Sequence, residues 1–156
     1  MKTLILYGTK HGAAAEIAKR IAEKIDGAVV HDLKQSEVHD LAGFDCIIVG
    51  SSVYAGMFRK EAKMFLSQNA EVLRQRKLGL FISGMSSGEQ QKMFADNVPK
   101  DLIESAKATV MPGGIFDPKK AGFIARLIMK AVTKQSGYVD TIDNDKIKKF
   151  VEEIKA

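Results

Sequence analysis

The residues best equipped for chemistry stand near the head of the chain, in Gly8-Thr9-Lys10-His11-Gly12-Ala13-Ala14. A hydroxyl, an ammonium and an imidazole are gathered beside a glycine. An apolar strand, Thr3-Leu4-Ile5-Leu6-Tyr7, precedes them, and a helical stripe of Ala14, Ile17, Ala18, Ile21, Ala22 and Ile25 follows. A turn between a buried strand and a helix presents unpaired backbone N–H groups at the positive end of the helix dipole. Such a turn binds anions, and phosphate above all. Thr9 adds a hydroxyl donor, Lys10 and His11 add charge, and Gly12 allows close approach of backbone to ligand. The spacing excludes the better-known phosphate loops. Gly8 and Gly12 do not make G-x-G-x-x-G, and Ala13 stands where G-x-x-x-x-G-K-[ST] requires lysine.

Two further stretches share this small, hydroxyl-rich character. Ser51-Ser52-Val53-Tyr54-Ala55-Gly56 follows the apolar run Cys46-Ile47-Ile48-Val49, and Ser83-Gly84-Met85-Ser86-Ser87-Gly88 follows Leu80-Phe81-Ile82. Gly84-Met85-Ser86-Ser87-Gly88 also matches G-x-S-x-G, the nucleophile turn of α/β-hydrolases. That chemistry needs a histidine after the serine, and His11, His31 and His39 all precede it. These histidines have no metal-ligand spacing, and the single cysteine, Cys46, sits in a strand. Neither a metal site nor a disulfide framework is expected.

The elements that must position these stretches follow from periodicity. Strands are expected at 3–7, 28–33, 44–50, 77–82 and from 108 to 111, the last closed by Pro112-Gly113-Gly114, and the spacing predicts a helix over 59–73. Short helices broken near Pro99 are expected over 89–106, and a last helix carries Ile147, Phe150, Val151 and Ile154. Strands alternating with helices predict an α/β doubly wound parallel sheet of five strands, order 2-1-3-4-5, with helices on both faces. Ligands bind beyond the strand C-termini of such a sheet, where the strand order reverses. The three stretches converge there.

The chain has 156 residues, 46% hydrophobic and 28% charged, which suits one domain with a real core. It shows no repeat, no low-complexity tract and no long apolar run. Met1-Lys2 leads straight into a strand, so no signal peptide is expected and the expected location is cytoplasmic. The net charge is +5 and the pI about 9.3, which points to anionic partners. No nucleic-acid motif accompanies the charge.

Thr9-Lys10-His11-Gly12-Ala13-Ala14 resembles the T-x-x-G-x-T turn that wraps the FMN phosphate in flavodoxins, with Ala14 in place of the last threonine. The resemblance implies one FMN, its phosphate on this turn and its ring between Ser51–Gly56 and Ser83–Gly88, with Tyr54 stacking and Met85 on the other face. A narrower likeness involves the segment 116–138. Gly113-Gly114-Ile115-Phe116, Phe123-Ile124-Ala125-Arg126-Leu127-Ile128-Met129-Lys130 and Gly137-Tyr138-Val139-Asp140-Thr141 look like the long insert of the menaquinone-dependent protoporphyrinogen IX dehydrogenase family. This implies a flavodoxin-like FMN oxidoreductase that passes electrons from a porphyrinogen to a quinone. The alternative is a soluble flavodoxin that shuttles electrons between a reductase and a redox partner protein. A basic chain stabilises the negative charge of a reduced flavin, which favours the first. The insert carries Lys119, Lys120, Arg126, Lys130 and Lys134 and no acidic residue between Pro118 and Val139. Ile124, Leu127, Ile128, Ala131 and Val132 share one helical face. That face either packs on the domain or meets an anionic membrane surface from the cytoplasmic side. No catalytic acid or base stands out, as expected where a flavin carries the chemistry.

Overall fold

The structure, a computed structural model, describes the chain except Glu37, His39, Ser86, Ala121, Ile124, Ala125, Ile128, Met129 and 132–136, and describes Ser87 by its backbone. Five parallel strands form the frame: β1 (Thr3–Gly8), β2 (Val29–Asp32), β3 (Cys46–Tyr54), β5 (Lys77–Ser83) and β6 (Ala108–Gly113). Their order is β2-β1-β3-β5-β6. A two-residue strand, β4 (Met57–Phe58), pairs antiparallel with the end of β3. Counting only the parallel strands, this is the expected 2-1-3-4-5 arrangement.

Alternation along the strands sends side chains to two cores. Leu4, Leu6, Ile47, Val49, Leu78 and Leu80 pack under α2 (Lys60–Gln68), α3 (Ala70–Arg74), α4 (Gln90–Asn97) and α5 (Lys100–Ser105). Ile5, Cys46, Ile48 and Phe81 pack under α1 (Ala13–Ala22) and α6 (Asn144–Lys155). The register then brings the strand C-termini level. Gly8 lies beside Ser51, Ser52 beside Ser83, and Ser83 beside Gly113. Every strand end that could meet a ligand is therefore on one rim.

Three departures from the sequence expectation have local causes. Ser51 to Tyr54 belong to β3 rather than to a loop. The chain turns at Ala55 (φ 49°) and Gly56 (φ 78°), both left-handed, the geometry of a two-residue hairpin. Buried Phe58 opposite Val53 and the buried Asn97 side chain hold this hairpin against α4. The helix predicted over 59–73 is two helices that part at Asn69 (φ −114°), whose backbone amide and Nδ2 both donate to the Phe65 carbonyl. The segment after β6 begins and ends in a small antiparallel pair, β7 (Ile115–Phe116) with β8 (Val139–Asp140). Thr141 fastens its base: the Thr141 amide donates to the Gly114 carbonyl at 2.9 Å, and the Gly114 amide donates to Thr141 Oγ1 at 3.1 Å.

Candidate functional site

The β1–α1 turn is built for an anion. Gly12 takes a left-handed conformation (φ 94°) as the residue before α1, where a side chain is strained. The Gly12 amide donates to Thr9 Oγ1 at 2.9 Å, which sets the turn and leaves the Thr9 hydroxyl hydrogen for an outside acceptor. The first helical bond runs from the Glu16 amide to the Gly12 carbonyl. The amides of Ala13, Ala14 and Ala15 therefore lack intrahelical partners, and no side chain caps them. Burial and the charges of Lys10, Arg59 and Lys120 together hold the His11 imidazole below its ordinary pKa. A cluster of positive groups around uncapped amides is an electrostatic seat for a phosphate.

A cleft of about 970 Å³ opens beside this turn. It lies at the top of the ~300–1,000 Å³ range of small-molecule sites. Its walls are Lys10, His11 and Ala13 from the turn, Ser52, Val53 and Tyr54 from β3, and Ser83, Gly84 and Met85 after β5. Gly114, Ile115, Phe116, Gly122 and Phe123 complete it. Lys10 Nζ stands 4.6 Å from the centroid of the Tyr54 ring, a cation–π pair at the mouth. Tyr54 is 66% exposed, so its ring is available to a planar ligand. A separate groove of about 450 Å³ between Leu33–Val38 and α2 touches none of the three stretches.

The expected site residues thus divide. Lys10, His11, Ala13, Ser52, Val53, Tyr54, Ser83, Gly84 and Met85 converge on the cleft. Thr9 and Gly12 shape the turn without lining it. Ala14 is fully buried with its methyl group in the core. Ser51 is also fully buried, and its role is structural: its hydroxyl donates to the Ser52 carbonyl and accepts from the Arg59 amide at 2.8 Å. Ala55 and Gly56 form the hairpin tip, and Gly88 lies in a short 3-10 turn; none of the three lines the cleft. Ser86 lies outside the described residues, and of Ser87 the backbone alone is described. His39, Ile124, Ile128, Val132 and Lys134 also lie outside them.

Sequence reasoning missed Gly114, Ile115, Phe116, Gly122 and Phe123, and also Arg59 and Lys120 beside the turn. Gly114 to Phe116 were within reach of the rule already used, since they follow the C-terminal end of β6, an edge strand of the parallel sheet. Burial raises the Cys46 thiol to about 11, consistent with a core residue far from any thiolate chemistry. No helix among the described residues is long and apolar enough to cross a membrane.

Comparison with known proteins agrees with this architecture. The chain resembles a flavoprotein from Lactobacillus acidophilus solved in complex with FMN, at 19% identity over 72% of this chain and 90% of that one (TM-score 0.50). It resembles the two-electron reduced flavodoxin of Megasphaera elsdenii, at 18% identity over 99% of each chain (TM-score 0.59). A flavodoxin from Streptococcus pneumoniae is similar at 18% identity, over 99% of this chain and 98% of that one (TM-score 0.59). At such identities the likeness is one of fold. No curated protein matches the chain. The family model described as the flavodoxin domain matches residues 4–143, nearly the whole length, and the chain belongs to that family.

Proposed function

We propose that the chain binds one FMN non-covalently in the cleft and works as an electron-transferring flavoprotein. The carrying observation is the pairing of an uncapped, cation-ringed helix N-terminus with a largely apolar cleft bearing an exposed tyrosine. The first suits a phosphate and the second a planar ring. FMN fits better than FAD because one anion-binding turn is present and no adenosine-binding unit was found in the sequence. When bound, FMN supplies one- and two-electron chemistry; the protein positions the ring and sets the charge around it. Tyr54, Val53 and Met85 line the ring's space, while Lys10 and His11 lie toward the phosphate. Reconstitution with FMN should yield a protein with the visible flavin bands. Absence of flavin uptake at micromolar concentration would refute the reading.

Within that reading, the electron acceptor is a quinone and the donor an apolar reduced substrate, for which the sequence resemblance implies a porphyrinogen. Support comes from the extension of the cleft onto Phe116 and Phe123 of the insert, which adds apolar wall beyond the three flavin stretches. Phe123 and Leu127 are 70% and 51% exposed, so this part of the insert keeps apolar surface open to a substrate or a lipid surface. Binding to anionic vesicles should be salt-sensitive, each nearby lysine or arginine contributing about 1 kcal/mol. Leu127→Asp should abolish that binding while leaving flavin uptake intact. A protein that ignores anionic vesicles at low salt would refute the membrane role.

A second reading is favoured by the hairpin tip. Tyr54 and Met57, both exposed, form a surface on which a partner protein docks in a soluble electron shuttle. The assay that separates the two supplies protoporphyrinogen and a menaquinone analogue. Turnover supports the dehydrogenase. Reduction by a flavodoxin reductase, with two well-resolved one-electron potentials and no turnover, supports the shuttle.

A further inference from the structure

Cations from three separate segments surround the β1–α1 turn, and two of them were invisible to local sequence reasoning. Lys10 belongs to the turn. Arg59 immediately precedes α2. A Cβ built on Gly8 would lie 2.9 Å from Arg59 Cβ, so glycine at that position is what lets the start of α2 close on the turn. The Arg59 amide donates to buried Ser51 Oγ at 2.8 Å, which fixes where the arginine side chain departs. Arg59 Nε is buried without a hydrogen-bond partner, and the Glu61 carboxylate at 3.9 Å is too far to provide one. Lys120 arrives from the insert. Its Nζ lies 3.5 Å from where a Cβ on Gly12 would stand, and its amide is held by the Asp117 carbonyl. Among the described residues, the Arg59–Glu61 contact is the one ion pair made by any of the three. Like charges gathered beside uncapped amides repel one another until an anion joins them.

The geometry points to a phosphate clamp in which Arg59 and Lys120 close on the β1–α1 turn, select phosphorylated over unphosphorylated flavin, and tie the start of the insert to cofactor occupancy. The inference rests on the FMN reading and deepens it. Arg59 offers a planar guanidinium charge, and Lys120 offers a mobile point charge. Together they replace, with charge, the hydroxyl that Ala14 does not supply. Because Lys120 already stands at the turn, a bound phosphate holds the start of the insert there, beside the apolar wall of Phe116 and Phe123.

The test titrates FMN and riboflavin separately into the wild type, Arg59→Gln and Lys120→Gln, following flavin fluorescence. The expected result is a fall of about tenfold in the FMN-to-riboflavin affinity ratio for each variant, the scale of one lost charge-assisted hydrogen bond, with riboflavin affinity unchanged. The salt dependence of FMN binding should weaken in both variants. Chymotryptic cleavage after Phe123 should be slowed by FMN but not by riboflavin in the wild type, and this protection should vanish in Lys120→Gln. An unchanged ratio in variants that still bind FMN overturns the clamp, as does a wild type that binds riboflavin as tightly as FMN. In both cases the flavin reading survives. If Arg59→Gln does not fold, Lys120→Gln decides, since Lys120 is exposed and its truncation opens no core. If the wild type binds neither flavin, the FMN reading has failed and the clamp fails with it.

Discussion

Replacing Asn97 by alanine tests whether one buried amide holds the hairpin that carries Tyr54. Asn97 is 5% exposed. Its Oδ1 accepts from the Phe58 amide at 2.8 Å, and its Nδ2 donates to the carbonyls of Gly56 at 2.8 Å and Met93 at 2.9 Å. The bond to Met93 stays within α4, while the other two cross to the hairpin. Two crossing bonds at about 1 kcal/mol each give about 2 kcal/mol. Truncation also strands the Phe58 amide, in a buried residue with no water to replace the lost acceptor, for about 1 kcal/mol more. The Gly56 carbonyl is at an exposed residue and regains water, so it adds little. The total is about 3 kcal/mol, which for a chain of this size lowers Tm by roughly 6–12 °C. Urea denaturation followed by circular dichroism should show a lower midpoint at unchanged slope. Flavin affinity should fall with it, because Val53 and Tyr54 ride on the same hairpin. A stability loss below about 1 kcal/mol would refute the view that Asn97 is the clamp.

Ala55 holds a left-handed conformation that alanine adopts at a cost, so Ala55→Asn should raise the urea midpoint by an amount equivalent to about 0.5–1 kcal/mol. Arg20, held within α1 by Glu16 at 2.9 Å, ties that helix to β8 through Asp140 at 2.7 Å, and Arg20→Met should cost about 1–2 kcal/mol at neutral pH, given that the arginine is 20% exposed. Burial raises the Asp140 carboxyl pKa, but the Ile142 amide and Arg20 outweigh it, so the net pKa lies below 3.8. A depressed acid stabilises the fold above its unfolded pKa and loses that contribution as pH falls through the folded one, so the gap between wild type and Arg20→Met should narrow below about pH 4. Cys46, with its thiol raised to about 11, should resist a disulfide reagent at mildly alkaline pH and react only in denaturant.

The sheet was legible because its signals are local. Thr3–Tyr7, Cys46–Val49 and Leu78–Ile82 are short apolar runs separated by helical stripes, and alternation of the two leaves one topology with right-handed crossovers. Strand ends were harder. Ser51 to Tyr54 carry hydroxyls and a tyrosine that suit a loop, yet they extend β3: Ser51 and Ser52 pair with the ends of β1 and β5, and Val53 and Tyr54 pair with β4 in a hairpin that Asn97 at the end of α4 holds. Asn97 gives no local sign of this role. An amide side chain near a helix end reads as a solvated cap until the fold brings Gly56 and Phe58 to it.

The same reasoning divides the site. The turn from Gly8 to Ala13 announces an anion because its chemistry is contiguous: glycine, hydroxyl, cations and a helix start within one short run. Arg59 and Lys120 lie 47 and 108 residues beyond Gly12, and each sits in a stretch where a cation is ordinary, one before a helix and one in a basic segment. Nothing in either neighbourhood distinguishes a clamp from a solvated charge. The distinction appears once Gly8 admits the start of α2 and the β7–β8 pair returns the insert to the sheet. It follows that grafting Gly8–Ala13 alone onto another strand–turn–helix should transfer weak anion binding without selectivity for FMN over riboflavin. A graft that kept the full selectivity would show that the turn is sufficient and that Arg59 and Lys120 are bystanders.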